Sequence, residues 1–420
     1  MGWTADTPPS PGQVREWQLD RLRALVAHAR ENSPFYARTL SGVDVASIRT
    51  AEDFSRLPTV SADDLRREPE QFLCVSQDEI ERVVTLQSSG TTGHPKRIFH
   101  TADDMEATAD FFDWGMRNMV GPGQAVLVLM PGDRPGGVGR LLDDALGRFG
   151  ARAACHGVME DARAAVDQFL VEDASCIVGP PAHVNLMACE WERRRLPRDM
   201  VRSVLLCWDA VPDAVAANAE RIFGCRAFRH WGMIETGLGG AVECMPGSGL
   251  HLREADLYLE IVDPRTGRLV SDGEPGEMVV STPLRRGMPL LRYRTGDAGR
   301  ILPVRCRCGS PLRLLDPHVR RMADGVDIGA GRIRLEDLNE VLYALPGLGD
   351  FAARVAGGTL YVFARGRVGR ERIETALMSL PVVGQGLADG VLRIAVETSN
   401  DAVPAVPGLG KRRIEIDREL

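Results

Sequence analysis

The sequence predicts an α/β protein: a large N-terminal α/β domain with layered sheets over residues 1–317 and a small C-terminal α+β domain over residues 318–420. Three observations carry that expectation. Between residues 125 and 223 short apolar runs alternate with stretches of helical period, as parallel α/β layers require. From Leu257 onward the pattern turns to alternating strands, Leu257–Val262 and Glu277–Thr282, separated by a turn at Asp272-Gly273. Beyond Arg321 the chain starts again, with a helix, a hairpin turning at Gly357-Gly358, a second helix and a strand. At 420 residues and 44% hydrophobic composition it exceeds one ordinary domain and can bury a sizeable core.

The same composition excludes several classes of partner. A net charge of −7 without long Lys/Arg runs argues against nucleic acid and anionic membranes, so small-molecule ligands are expected. No apolar segment follows a basic start, and no run approaches the roughly 18 apolar residues of a membrane helix, which predicts a cytoplasmic protein. Nine scattered cysteines fit reduced thiols or metal ligands better than a disulfide framework.

In chain order, Trp17, Leu19, Leu22, Leu25, Val26 and Ala29 recur at helical spacing until Asn32-Ser33-Pro34 ends the pattern. Residues 86–96, Leu-Gln-Ser-Ser-Gly-Thr-Thr-Gly-His-Pro-Lys, have too few apolar side chains for a core element and read as a loop. Its glycines permit close backbone approach, and its hydroxyls and N–H groups suit an anion, although composition alone would equally describe a linker. The Walker spacing is absent. Thr101 is a plausible N-cap with Asp103 and Asp104 in the first turn of a helix bearing Met105, Ala109, Phe112, Met116 and Met119. The alternating section follows, with strands at Ala125–Met130, Cys176–Val178 and Ser203–Trp208 and helices at Arg140–Phe149, Ala182–Arg194 and Asp213–Phe223. The glycine-rich Pro131–Gly139 reads either as part of a substrate pocket or as a mobile loop. In the C-terminal part, helices are expected at Leu335–Leu345 and Glu371–Leu380, the hairpin at Phe351–Ala364 and the strand at Leu392–Val396.

Cys244 and His251, with six residues between them, bracket a Pro/Gly/Ser turn, and Cys306 and Cys308 form a tight C-x-C. Three sulfurs and an imidazole suit a closed tetrahedral Zn²⁺ site; buried reduced thiols are the alternative.

Four motifs in order carry a resemblance to a known family. Ser88-Ser89-Gly90-Thr91-Thr92-Gly93 followed by Pro95 resembles the phosphate loop of the adenylate-forming (AMP-binding) superfamily. His230-Trp231-Gly232-Met233-Ile234-Glu235-Thr236-Gly237 resembles its Y-G-x-T-E motif, with Trp for Tyr and Ile for the first Thr, and Tyr293-Arg294-Thr295-Gly296-Asp297 matches Y-R-T-G-D. Gly410-Lys411 opens an ending similar to the G-K-x-x-R-x-x-D of phenylacetate-CoA ligases. The helical leader through Pro34-Phe35-Tyr36 is similar to those ligases and to coenzyme F390 synthetases. Trp208 departs from the family, which more often has a small residue, commonly glycine, there.

The resemblance implies an enzyme that activates a carboxylic acid, aryl or arylacetic, as an acyl-adenylate and transfers it to coenzyme A. A carrier protein, an amine or an F390-type acceptor are alternatives, as is nucleotide binding without turnover. It implies that Ser88, Ser89, Gly90, Thr91, Thr92 and Gly93 hold ATP phosphates and that Lys96 closes the loop. Trp231, Gly232 and Thr236 would border the nucleotide, and Glu235 would hold Mg²⁺. Asp297 would accept both ribose hydroxyls, with Arg321 beside it. Lys411 would be catalytic, delivered by a small domain turning about a hinge at Leu314–Arg321. Cysteines and a histidine at comparable places in some members support zinc at Cys244, His251, Cys306 and Cys308. A homodimer is compatible with this reading.

Overall fold

The computed structural model describes residues 9–86, 95–132 and 137–417. The phosphate-loop residues Ser88, Ser89, Gly90, Thr91, Thr92 and Gly93 therefore lie outside the described residues, as does the centre of the Pro131–Gly139 segment. The chain divides into two compact units, one built from Met1–Gly115 with His230–Met322, the other from Met116–Arg229 with Ala323–Leu420.

The first unit opens with the leader helix Pro11–Asn32. Ser10 caps it reciprocally with Gln13, Pro11 occupies the first turn where its missing N–H costs nothing, and Ser33, held extended before Pro34, ends it. Val14, Leu22, Leu25, Val26 and Ala29 form its buried stripe. Gln18 shares that stripe and donates to the carbonyls of Glu254 and Leu257, so a polar residue is buried without an orphaned amide nitrogen. The stripe packs into a core with Phe54, Phe72, Met278, Val280, Leu290 and Tyr293, each at most 1% exposed. Burying side chains of this size is worth roughly 1.5–3 kcal/mol apiece.

An antiparallel hairpin, Ile80–Leu86 with Lys96–Thr101, closes on the backbone pair Leu86 and Lys96 and so clamps both ends of the predicted phosphate loop. Thr101 caps the next helix, Ala102–Met116: its N–H donates to Asp104 Oδ2 at 2.9 Å and its Oγ1 accepts from Asp104 N at 3.3 Å. A four-stranded antiparallel sheet follows in the order Tyr258–Val262, Gly276–Ser281, Tyr293–Gly299, Arg320–Arg321. Burial alternates along Tyr293–Gly299, so Tyr293, Thr295 and Asp297 share the inward face. The ladder with Gly276–Ser281 shifts register between Glu277 and Val279, and Gly296 takes a φ of +73°, which bulges Asp297 toward its other neighbour, Arg321.

In the second unit five strands run parallel in the order Arg152–Cys155, Ala125–Val128, Ala174–Gly179, Ser203–Leu206, Arg226–Trp231. Their connecting helices are Val138–Gly147, Ala162–Val171, Pro181–Arg193 and Asp213–Phe223. The central strands are buried at every position but Ser175, as a sheet covered on both faces demands. The C-terminal residues add a sheet centred on the hairpin Leu348–Ala356 and Thr359–Gly366, whose turn uses positive φ at both Gly357 and Gly358. Arg393–Ser399 and Glu415–Ile416 flank it in parallel, beside helices Leu335–Tyr343, Arg370–Met378 and Pro381–Ala388. No helix among the described residues is long and apolar enough to cross a membrane.

Candidate active site

Asp297 is 6% exposed, and the bulge turns its carboxylate toward two fixed donors. The indole N–H of Trp231 reaches Oδ2 at 3.2 Å, and Arg321 Nη1 lies 3.0 Å from Oδ1 while also donating to the Thr295 carbonyl at 2.9 Å. The backbone N–H of Asp297 donates to Thr295 Oγ1, which locks the bulge from below. Trp231 thus touches the aspartate through its ring nitrogen, a donor at a position where a hydrophobic ring alone would leave the carboxylate short of one partner. Gly232, next along, has no room for a side chain: a Cβ there would meet His230, Leu238 and Gly239 within 3 Å.

Glu235 sits in a short turn, Ile234–Thr236, and is 1% exposed. Thr236 fastens that turn by bonding both the N–H and the carbonyl of Met233. Lys96 Nζ pairs with Glu235 Oε1, and the Tyr293 hydroxyl donates to the same oxygen at 2.9 Å. Burial alone would raise the Glu235 carboxyl, but the adjoining ammonium, supported by the phenol, overrides it and holds the group below the usual carboxylate range. Burial and the same carboxylate push the Tyr293 phenol well up, so it stays a donor at every working pH. Arg285, buried, donates to the Glu235 carbonyl at 2.8 Å and faces Asp104 at 3.8 Å, bracing the turn from behind. Neither Tyr293 nor Arg285 stands among the sequence-predicted site residues. Tyr293 was findable as the first letter of Y-R-T-G-D; Arg285 lies in no motif and carries no such signal.

Cys244, His251, Cys306 and Cys308 converge, with ligand atoms all within 4.8 Å of one another. Sγ of Cys244 lies 3.3 Å from that of Cys306, and His251 Nε2 lies 3.3 Å from Cys244 Sγ and 3.4 Å from Cys308 Sγ. A zinc tetrahedron with Zn–S of about 2.3 Å and Zn–N of about 2.0–2.1 Å has ligand-to-ligand edges of roughly 3.5–3.8 Å, close to these separations. His251 is held by its place in the strand Leu250–Leu252, between Val242 and Leu314.

In the second unit, Lys411 is exposed on the loop that precedes Glu415–Ile416. Its neighbour Arg412 is pinned by the Tyr343 hydroxyl at 2.7 Å, Asp350 at 3.2 Å and the Phe351 carbonyl. Asp350, 1% exposed, also accepts from Tyr343 and from the N–H of Ala405, each at 2.8 Å. On the other flank Trp208 holds a φ of +79°, a backbone conformation costing a bulky residue on the order of 1–3 kcal/mol, and its indole donates to the Leu409 carbonyl at 2.9 Å. Asp209 accepts from the Ala210 N–H at 2.9 Å; desolvation raises its carboxyl, and that N–H together with the charges of Arg412 and Lys411 opposes the rise.

Comparison with known proteins places this arrangement. Residues 43–286, more than half of the chain, match the AMP-binding enzyme family. A phenylacetate-coenzyme A ligase of Pseudomonas putida is 30% identical over 323 residues, covering 74% of this chain and 71% of the relative. One from Thermus thermophilus is 29% identical over 356 residues, covering 80% and 76%. A crystal structure of 2-hydroxyisobutyryl-CoA ligase in the postadenylation state, in complex with 2-HIB-AMP, superposes with a TM-score of 0.81 at 20% identity, covering 98% of this chain and 91% of that one. The class so defined is that of the AMP-forming acid ligases. The chain belongs to the AMP-binding enzyme family, in its phenylacetate-CoA ligase branch.

Proposed function

We propose that this protein activates an aryl or arylacetic acid with ATP as the acyl-adenylate and passes the acyl group to the thiol of coenzyme A. A carboxylate oxygen attacks the α-phosphorus and pyrophosphate leaves; the thiolate then attacks the acyl carbonyl and AMP leaves. The observation that carries this reading is the buried Asp297 carboxylate, held by Trp231 and Arg321, in a chain whose relatives are phenylacetate-CoA ligases. A carboxylate so oriented suits a vicinal diol, since it can accept two hydrogen bonds at once. Ser88, Ser89, Gly90, Thr91, Thr92 and Gly93 complete the ATP site, and Lys96, Gly232 and Thr236 shape its edge.

The donor set fits Mg²⁺ through Glu235, a single buried carboxylate kept ionised by Lys96. Mg²⁺ binds through one or two carboxylates plus substrate phosphates and would supply charge neutralisation there. Residues 318–420 form the cap of this reading, turning about Leu314–Arg321, and the enzyme works in the cytoplasm. Pyrophosphate exchange against a panel of aryl, arylacetic and amino acids, with intact-mass detection of acyl-adenylates, tests the proposal. ATP binding without exchange for any acid would remove it.

Two outcomes follow. Asp297→Ala deletes an acceptor for charged hydrogen bonds worth about 1.5–3 kcal/mol each, so ATP binding should weaken at least about tenfold. Calorimetric titration with a nonhydrolysable analogue reads this directly, and unchanged affinity would take Asp297 out of the site. Second, Cys244, His251, Cys306 and Cys308 hold one structural Zn²⁺ per chain. Metal analysis of protein purified without added zinc should give a stoichiometry near one, and Cys306→Ser with Cys308→Ser should lose the metal and melt earlier. A site with four protein ligands has no open position, so activity per folded molecule should not depend on the ion otherwise.

A further inference from the structure

Trp208 is the feature of the second unit that the proposed chemistry leaves unexplained. Among the described residues five non-glycine residues have positive φ, and Trp208, at +79°, is the bulkiest of them. Such a conformation persists only where the surroundings over-determine it, and in bulky residues it marks a constraint worth locating. The side chain is 38% exposed, so burial of the ring does not account for its being there. What the ring does make is one directed contact, the 2.9 Å hydrogen bond from its Nε1–H to the Leu409 carbonyl, two residues before Lys411. The adjacent Asp209 lines the same cleft as Arg412, one residue after Lys411. Trp208 therefore holds the lysine loop by its backbone on the N-terminal side of Lys411, while on the other side the Arg412 side chain anchors in Tyr343, Asp350 and Phe351. The grip forms one wall of a cleft lined by Pro180, Pro212, Val406, Leu409 and Arg412.

We propose that Trp208 is a positioning residue for Lys411, its indole holding the loop Gly408–Arg412 in the pose that adenylation uses. A glycine at 208 would relax the backbone but could not make the bond, so the strained tryptophan is explained by what its nitrogen holds. The proposal rests on the acid-ligase reading, in which the Lys411 ammonium stabilises the charge that gathers on the α-phosphate during adenylation, the first half-reaction. Loosening the loop should consequently slow that step and spare the second.

The test compares Trp208→Phe, which keeps the ring and removes the N–H, with Trp208→Gly, which also relieves the backbone. Amide hydrogen exchange over residues 408–412, measured without substrate, should become at least threefold faster in both. Loss of one neutral hydrogen bond should lower kcat for pyrophosphate exchange roughly three- to tenfold. KM for ATP should stay within twofold, and turnover of a supplied acyl-adenylate with CoA should be unchanged. Trp208→Gly should melt no earlier than the parent, a combination of equal stability and lower activity that a packing role cannot produce. Unchanged loop exchange in Trp208→Phe would overturn the grip itself. Faster loop exchange with undiminished or faster pyrophosphate exchange would overturn its role in adenylation. A rise in KM for ATP alone would make Trp208 a nucleotide contact instead. If the parent protein exchanges pyrophosphate with no acid, the acid-ligase reading fails and with it the role assigned to Lys411, while the loop measurement still decides whether the grip exists.

Discussion

Lys411→Ala should lose pyrophosphate exchange by about 10²–10³-fold, the loss usual when a preorganised donor to transition-state charge is removed. Negative charge gathers on the α-phosphate and the attacking carboxylate as adenylation proceeds, and a compact ammonium reaching both favours that transition state over either ground state. ATP affinity should therefore change by no more than a few-fold, and a chemically supplied acyl-adenylate should still yield thioester with CoA. The environment of Lys411 supports a role beyond that of a basic tail: the side chain is exposed, yet the loop that carries it is tied down by Arg412, Asp350 and Trp208. Equal loss in both assays would indicate misfolding, and full exchange activity in Lys411→Ala would end the assignment.

Long elements with a strong apolar period were legible in the sequence, and their bounds moved little. The helix expected at Asp213–Phe223 is found there, and Cys176–Val178 is the middle of Ala174–Gly179. What escaped has weak hydrophobic contrast. Arg152–Cys155 is an edge strand with only Ala154 buried, so no run of apolar residues announces it. Ala162–Val171 does repeat at helical spacing, but through Ala162, Ala165, Val166 and Phe169, two of them alanines. Pro381–Ala388 buries only Val383 and Gly386, too little for a periodic signal.

Within the candidate site, motifs named the residues but not their partners. Asp297 and Trp231 lie 66 positions apart, and Lys96 and Glu235 139 apart, pairings that only the sheets impose. The four metal-ligand candidates were the exception, because cysteine spacing itself reports convergence, and the structure brings all four together. The positive φ of Trp208 explains why a departure visible in the sequence could not be interpreted there: its meaning lies in backbone conformation and in a contact with Leu409 201 residues away.

Glu235→Ala should cost about 3 kcal/mol of folding stability, read from chemical denaturation. The side chains of Lys96 and Glu235 are 13% and 2% exposed, and breaking a buried pair leaves an uncompensated charge, typically costing about 3–5 kcal/mol. The residual exposure of Lys96 places the expectation at the lower end, because water reaches the stranded ammonium. Glu235→Gln keeps an acceptor for Tyr293 and should cost less. The pH dependence follows from the sign of the shift. The folded carboxyl lies below its usual 4.5, so its contribution is fully present above that value and is lost as pH falls through the depressed folded pKa. The stability gap between the parent and Glu235→Gln should accordingly close in acid and hold steady from pH 5 to 8. A gap that instead widens in acid would mean that Lys96 does not keep the carboxyl ionised. Stability alone does not establish the metal role, so the same variant should also raise the Mg²⁺ concentration needed for half-maximal pyrophosphate exchange. Lys96→Met combined with Glu235→Gln separates the two effects: removing both charges should recover much of the lost stability, while the Mg²⁺ requirement stays high, because the metal-facing carboxylate is still missing. Recovery of both would reduce Glu235 to the partner of Lys96.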